Sequence, residues 1–143
     1  MSMMQGAIRE ARVLDLFAGS GALGLEMLSR GAARATFVER GGGALKTLRA
    51  NIAALGAESE TEVVRADAVA FAGKLGPGEY DVAVADPPYG SGEAAAVADL
   101  FLRTPFAATL WIEHRVTDTL PEAPGTDTRR YGDTLLTRYE APE

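Results

Sequence analysis

The chain has 143 residues, 47% of them apolar, and a formal net charge of −6. That length fits one domain able to bury roughly two-thirds of its unfolded surface without covalent staples. Zero cysteines and a single histidine, His114, exclude disulfides, thiolate metal sites, a cysteine nucleophile and a histidine-built zinc site.

No apolar run approaches the roughly 18 residues of a membrane helix, and no charged-then-apolar leader opens the chain. A cytoplasmic location, with no membrane partner, is therefore expected. The acidic charge works against a nucleic-acid partner, which wants a basic face, unless the twelve arginines gather on one side.

Residues 1–11 read as a disordered or residual segment, and 12–140 as one domain. Arg12 to Phe17 is a short apolar run entering a glycine-rich turn, which predicts a strand. Leu23 to Ser29 has helical spacing and Gly31 stops it. Ala35 to Glu39 reads as a second strand. Ala44 to Leu55 reads as a helix with Leu45, Leu48, Ile52 and Leu55 on one face. Glu62 to Arg65 follows as a strand, Asp67 to Leu75 as a short helix, and Gly76-Pro77-Gly78 as a turn. Tyr80 to Ala85 is a fourth strand, stopped at Pro87-Pro88. Glu93 to Leu102 is helical, and Thr109 to Glu113 is a fifth strand. Asp127 to Tyr131 and Thr134 to Tyr139 alternate around Gly132-Asp133, as in an antiparallel hairpin.

Alternating strands and helices predict a mostly parallel sheet covered on both faces. Ligands of such sheets bind beyond the carboxyl ends of the strands. Those ends carry Ala18 to Gly24, Glu39, Arg65 to Asp67, and Asp86 to Tyr89.

Gly19-Ser20-Gly21-Ala22-Leu23-Gly24 fits G-x-G-x-x-G between a strand and a helix, where glycines permit a sharp turn and close ligand approach. Alone, the motif fits a dinucleotide pyrophosphate, the methionine part of S-adenosyl-L-methionine (SAM), or a plain tight turn. Glu39 ends the second strand, where a carboxylate can accept both hydroxyls of a ribose, pointing to an adenosine-containing ligand. Asp67 is positioned to accept from an adenine amino group, to cap a helix, or both. Two features favour SAM over NAD. Asp15 sits inside a strand that dinucleotide folds keep apolar, and there it can hold the loop near a cationic ligand. The second feature is Asp86-Pro87-Pro88-Tyr89.

Proline fixes its own φ and extends the residue before it. Two prolines therefore stiffen Asp86 and its carbonyl beside a flat ring, Tyr89. An exocyclic amine on a base is a poor nucleophile, its lone pair being delocalised into the ring. Asp86 Oδ and the Pro87 carbonyl would accept from its two N–H groups, drawing density onto nitrogen. Tyr89 would stack on an extruded base. No covalent intermediate is expected.

From Asp15 to Glu26, at Ser29-Arg30-Gly31-Ala32, Phe37-Val38-Glu39, Asn51 and Asp86 to Tyr89, the chain resembles the RsmD family of 16S rRNA (guanine-N2)-methyltransferases. Glu113 and Tyr131-Gly132-Asp133-Thr134 extend the likeness over roughly residues 11–140. The resemblance implies a three-layer, Rossmann-like class I methyltransferase fold with a mostly parallel seven-stranded sheet and a C-terminal antiparallel hairpin. It implies SAM as donor, S-adenosyl-L-homocysteine as product, no metal, and a guanine N2 as acceptor. The cofactor would lie against Asp15, Phe17, Ala18, Gly19, Ser20, Gly21 and Gly24. Its adenosine would meet Glu39, Arg40, Asp67 and Ala68, with Asp86 at the donor end. Asp86, Pro87 and Tyr89 would be catalytic, and Pro88 and Tyr89 would hold the base. The partner would be 16S rRNA in a small-subunit assembly particle, with the enzyme a monomer.

Family members carry a basic N-terminal extension that this chain is expected to lack. Alternative readings are therefore an N-methyltransferase on DNA adenine or a glutamine amide, and a SAM-binding module inactive without the extension. An NAD-dependent oxidoreductase is disfavoured, because no hydride-transfer constellation is evident. His114 is expected to be structural or on the surface, Trp111 and Phe101 to be core, and Arg129 and Arg130 to sit at a solvated strand end.

Overall fold

Residues 5–142 are described by the computed structural model, in which seven strands join into one sheet. In chain order they are β1 (Arg12–Leu16), β2 (Arg34–Glu39), β3 (Thr61–Arg65), β4 (Tyr80–Ala85), β5 (Ala107–Arg115), β6 (Asp127–Tyr131) and β7 (Thr134–Glu140). Their order across the sheet is β3-β2-β1-β4-β5-β7-β6. The first five strands are parallel, and β7 pairs antiparallel with both β5 and β6. The expected mostly parallel sheet with a C-terminal hairpin is therefore present.

The helices are α1 (Gln5–Ile8), α2 (Ala22–Ser29), α3 (Gly42–Ala54), α4 (Ala68–Ala72) and α5 (Glu93–Arg103). They divide between the faces according to strand alternation. Leu14 and Leu16 of β1 point one way and join Ala83, Ala85, Leu110 and Ile112 under α4 and α5. Val13 points the other way and joins Phe37, Val82, Val84 and Trp111 under α1, α2 and α3. Both faces of the parallel strands are thus apolar, as buried parallel sheets require. Phe101 and Phe106, both fully buried, meet edge-on at 5.4 Å. Each such side chain contributes roughly 1.5–3 kcal/mol by leaving water.

Three details depart from expectation. Residues 5–8 of the segment expected to be disordered or residual form α1, and Ile8 is fully buried in the core; residues 1–4 lie outside the described ones. α4 ends at Ala72 instead of Leu75, because Gly73 takes the C-cap and the chain turns there. β5 runs from Ala107 to Arg115, longer than predicted, because β4 supports its start and β7 its end. A 3₁₀ turn at Glu58–Glu60 had no periodic signal.

Candidate functional site

From β1 the chain moves outward through β2 to β3, then returns to place β4 on the other side of β1. The helices that follow β1 and β4 thus diverge to opposite faces of the sheet, and a crevice opens at the strand ends between them. A cavity of about 370 Å³ occupies it. Phe17, Glu39, Arg40, Asp67 and Ala68 line one side; Asp86, Pro87, Pro88 and Tyr89 line the other. Two stretches that lie 47 residues apart at Glu39 and Asp86 therefore face one space.

The glycine half is closed on itself. Phe17, the first residue after β1, has φ +60°, a left-handed conformation that a bulky residue adopts only where its surroundings enforce it. Gly21, at φ +82°, is the N-cap of α2. Gly24 is required for a different reason: a Cβ there would collide with the ring of Phe37. Its N–H instead donates to Asp15 Oδ2 at 3.1 Å. Glu39 takes Gly19 N–H on Oε1 and Gly41 N–H on Oε2, both at 2.8 Å, so one carboxylate joins the β1 and β2 loops. Asn51 Nδ2 adds a bond to the Ser20 carbonyl at 2.9 Å. Ala18, Gly19, Ser20, Gly21 and Gly24, with Asp15, brace the cavity without being among its lining residues. Asp67 caps α4 through the Ala70 N–H at 2.9 Å, and its other oxygen pairs with Arg40 at 3.1 Å.

The proline half is open. Pro87 is buried, whereas Asp86, Pro88 and Tyr89 are exposed. Tyr89 carries the guanidinium of Arg115 at 4.4 Å from its ring centre. Asp118 ties this loop to the end of β5, accepting from Gly90 N–H at 3.1 Å and Arg115 N–H at 3.0 Å. Ala85 faces Ile112 in the β4–β5 register, so the next residues, Asp86 and Glu113, are neighbours.

Carboxyls dominate the electrostatics. Burial pushes Asp15 up to about 8; the Gly24 N–H opposes this, and the charges of Asp86 and Glu39 add to it. Partial loss of water, then the neighbouring charge of Glu113, lift Asp86 to about 6. A crevice that strains several carboxyls against one another has the field to receive a cation. Among the described residues, no group of three or more His, Cys, Asp or Glu is arranged to hold a metal ion.

Residues set aside from the site stay outside it. His114 is buried and bonds Thr137 Oγ1 through Nε2 at 2.6 Å, while Trp111 and Phe101 are core. Arg129 and Arg130 are exposed on β6, Arg129 pairing with Asp127 at 3.3 Å. Arg115 and Asp118 went unnoticed in the sequence, because their contacts to Tyr89 and Gly90 cross 26 to 28 residues of chain.

A family model described as "Conserved hypothetical protein 95" matches residues 1–140. The Ribosomal RNA small subunit methyltransferase D of Escherichia coli (strain K12) is 36% identical over 120 residues, which cover 82% of this chain and 60% of that protein. The chain thus spans about 60% of the length of this curated relative. A solved Escherichia coli protein named "Putative methyltransferase yhhF" superimposes with a TM-score of 0.83 at 32% identity, covering 97% of this chain and 80% of that one. A Haemophilus influenzae structure named as a putative methylase gives a TM-score of 0.86 at 26% identity, covering 99% and 93%. With these neighbours, the three-layer Rossmann-like sheet is the class I methyltransferase fold.

Proposed function

Because the chain belongs to the Conserved hypothetical protein 95, or RsmD, family, we propose that it methylates the exocyclic N2 amine of a guanine in 16S rRNA, using SAM as donor. The observation that carries this reading is the shared cavity. The two-proline corner, built to receive an amine, opens onto the same space as Glu39 and Asp67, suited to an adenosine.

The residues present fit SAM. A Cβ on Gly19 would meet nothing within 4 Å, leaving open space beside the loop. Asp15, Glu39 and Asp86 suit a ligand carrying positive charge. When bound, SAM supplies an electrophilic methyl group on a sulfonium. Glu39 would accept from a ribose hydroxyl with the Oε1 lone pair left free by the Gly19, Arg40 and Gly41 N–H groups. Asp15 would ionise as the cation arrives. Asp86 Oδ and the Pro87 carbonyl would accept from the two amine N–H groups, and the buried Pro87 keeps that carbonyl in place. Tyr89, 45% exposed, offers a ring face for the base. We assign the reaction to 16S rRNA in a small-subunit assembly particle and the chain to the cytoplasm as a monomer. No described helix is long and apolar enough to cross a membrane.

Tritiated methyl transfer to unmodified small-subunit rRNA, free and in particles, followed by nucleoside analysis, tests the proposal. N2-methylguanosine is expected. N6-methyladenosine, or no label in either RNA form, overturns it. Calorimetry with SAM and NAD side by side tests the cofactor, and NAD binding without SAM binding would remove it.

A further inference from the structure

Glu113 belongs to no part of the machinery described so far, yet it stands next to the residue that meets the amine. β4 and β5 are parallel and in register through Ala85 and Ile112, so Asp86, just past the end of β4, comes level with Glu113, which lies within β5. Asp86 and Glu113 therefore stand side by side, and the charge of Glu113 raises the proton affinity of Asp86. Such a pair in the core would be a destabilising accident. Here it lies at the crevice, with Asp86 exposed to solvent and Glu113 half-buried.

We propose that Glu113 is a positioning residue for proton removal: it holds Asp86 so that the two carboxyls together receive the proton that leaves the newly methylated amine. This rests on the methyltransferase reading above. As the amine nitrogen bonds the methyl carbon, it gains a positive charge, and the electron pair of the broken carbon–sulfur bond stays on sulfur. One N–H bond then breaks. Its electron pair remains on nitrogen, and the proton forms an O–H bond on Asp86 that is hydrogen-bonded to Glu113. The pair goes from two negative charges to one, the amine from positive to neutral, and exposed Asp86 returns the proton to water.

An isolated aspartate is a weak acceptor because it ionises near 3.9. General bases work best when their affinity for protons approaches the operating pH. Glu113 provides that adjustment from outside the contact with substrate. The surroundings reinforce it. Glu39 on β2 and Glu93 at the start of α5 line the same cavity. The cations close by are otherwise engaged: Arg40 pairs with Asp67, and Arg115 lies on the Tyr89 ring with Asp118 at its backbone.

Carboxyl carbon-13 NMR of the ligand-free protein tests the coupling without any turnover. In Glu113→Gln, Asp86 is expected to titrate about one unit lower than in the unaltered protein. The rate profile for methyl transfer follows: the acid limb of kcat in Glu113→Gln moves to lower pH, while the plateau falls by about tenfold. Glu113→Asp recovers part of the shift. If Asp86 and the acid limb titrate identically in the unaltered protein and in folded Glu113→Gln, the proposal is wrong. If the unaltered chain neither binds SAM nor labels rRNA, the functional reading fails first, whatever the carboxyls do.

Discussion

The two sides of the cavity are built in opposite ways. On the β1–β2 side, the polar groups are largely spent on the protein itself: Glu39 binds two glycine amides, Asp15 binds Gly24, and Asp67 caps a helix. On the β4–β5 side, Asp86 and Tyr89 face outward, and rigidity comes from two prolines, Asp118 and an arginine stacked on a ring. One side is a packed cradle for a ligand that always has the same shape. The other is a stiff but open corner, as suits a group presented by a large and separate partner. Damage on the first side should therefore appear as lost stability and cofactor affinity. Damage on the second should appear as lost chemistry with the fold intact.

The largest effect should come from the open side. Asp86→Ala removes an acceptor of the amine and should lower the methyl-transfer rate by at least about 10³-fold, roughly 4 kcal/mol of barrier. SAM affinity by calorimetry and the melting temperature should stay close to those of the unaltered protein. Full activity in this variant would sink the assignment of the corner. Next, Gly24→Val pushes a branched side chain into Phe37 and should cost about 3 kcal/mol in denaturant unfolding, with SAM binding lost in proportion. A stable variant with normal affinity would mean the cradle is not held by that contact.

Tyr89→Ala removes only a stacking surface. RNA binding should weaken by about 1–2 kcal/mol in filter or fluorescence titrations, while SAM affinity stays constant. The smallest effect is expected at Asp15. Its folded value, about 8, lies above its unfolded one, so it favours the folded state at low pH, and that contribution is lost as pH rises from about 4 through 8. Asp15→Asn cannot titrate, so its melting temperature should fall less over that range, ending about 3 °C above the unaltered protein at pH 8. SAM binding should meanwhile lose its rise with pH, because a cation favours the ionised Asp15. Parallel melting curves across pH would show that Asp15 is already ionised in the folded chain.

Much of the cradle was legible in the sequence because it is local. The glycines, the strand before them and the helix after them occupy eighteen consecutive residues, Arg12 to Ser29, and glycine spacing reports backbone geometry directly. The Asp-Pro-Pro-Tyr corner was legible for the same reason, since proline constrains its own residue and its neighbour. The support of that corner was not. Nothing about Arg115 or Asp118 in the sequence marks them as partners of Tyr89 and Gly90, because side-chain contacts across strands depend on register. α1 was missed because Gln5–Ile8 is too short to show a period, and its place is decided by the burial of Ile8.

By itself the sequence determined the alternation of strands and helices, hence a layered parallel sheet, and it determined which short segments are conformationally constrained. Periodicity and the covalent limits of glycine and proline are properties of neighbouring residues, so they survive without a structure. Only the tertiary structure decided that β4 returns beside β1, and that the two constrained segments therefore share one cavity. It alone also set Asp86, just past β4, beside Glu113 within β5. Proton affinity depends on lost water and neighbouring charge, and both arise only when distant parts of the chain are packed together.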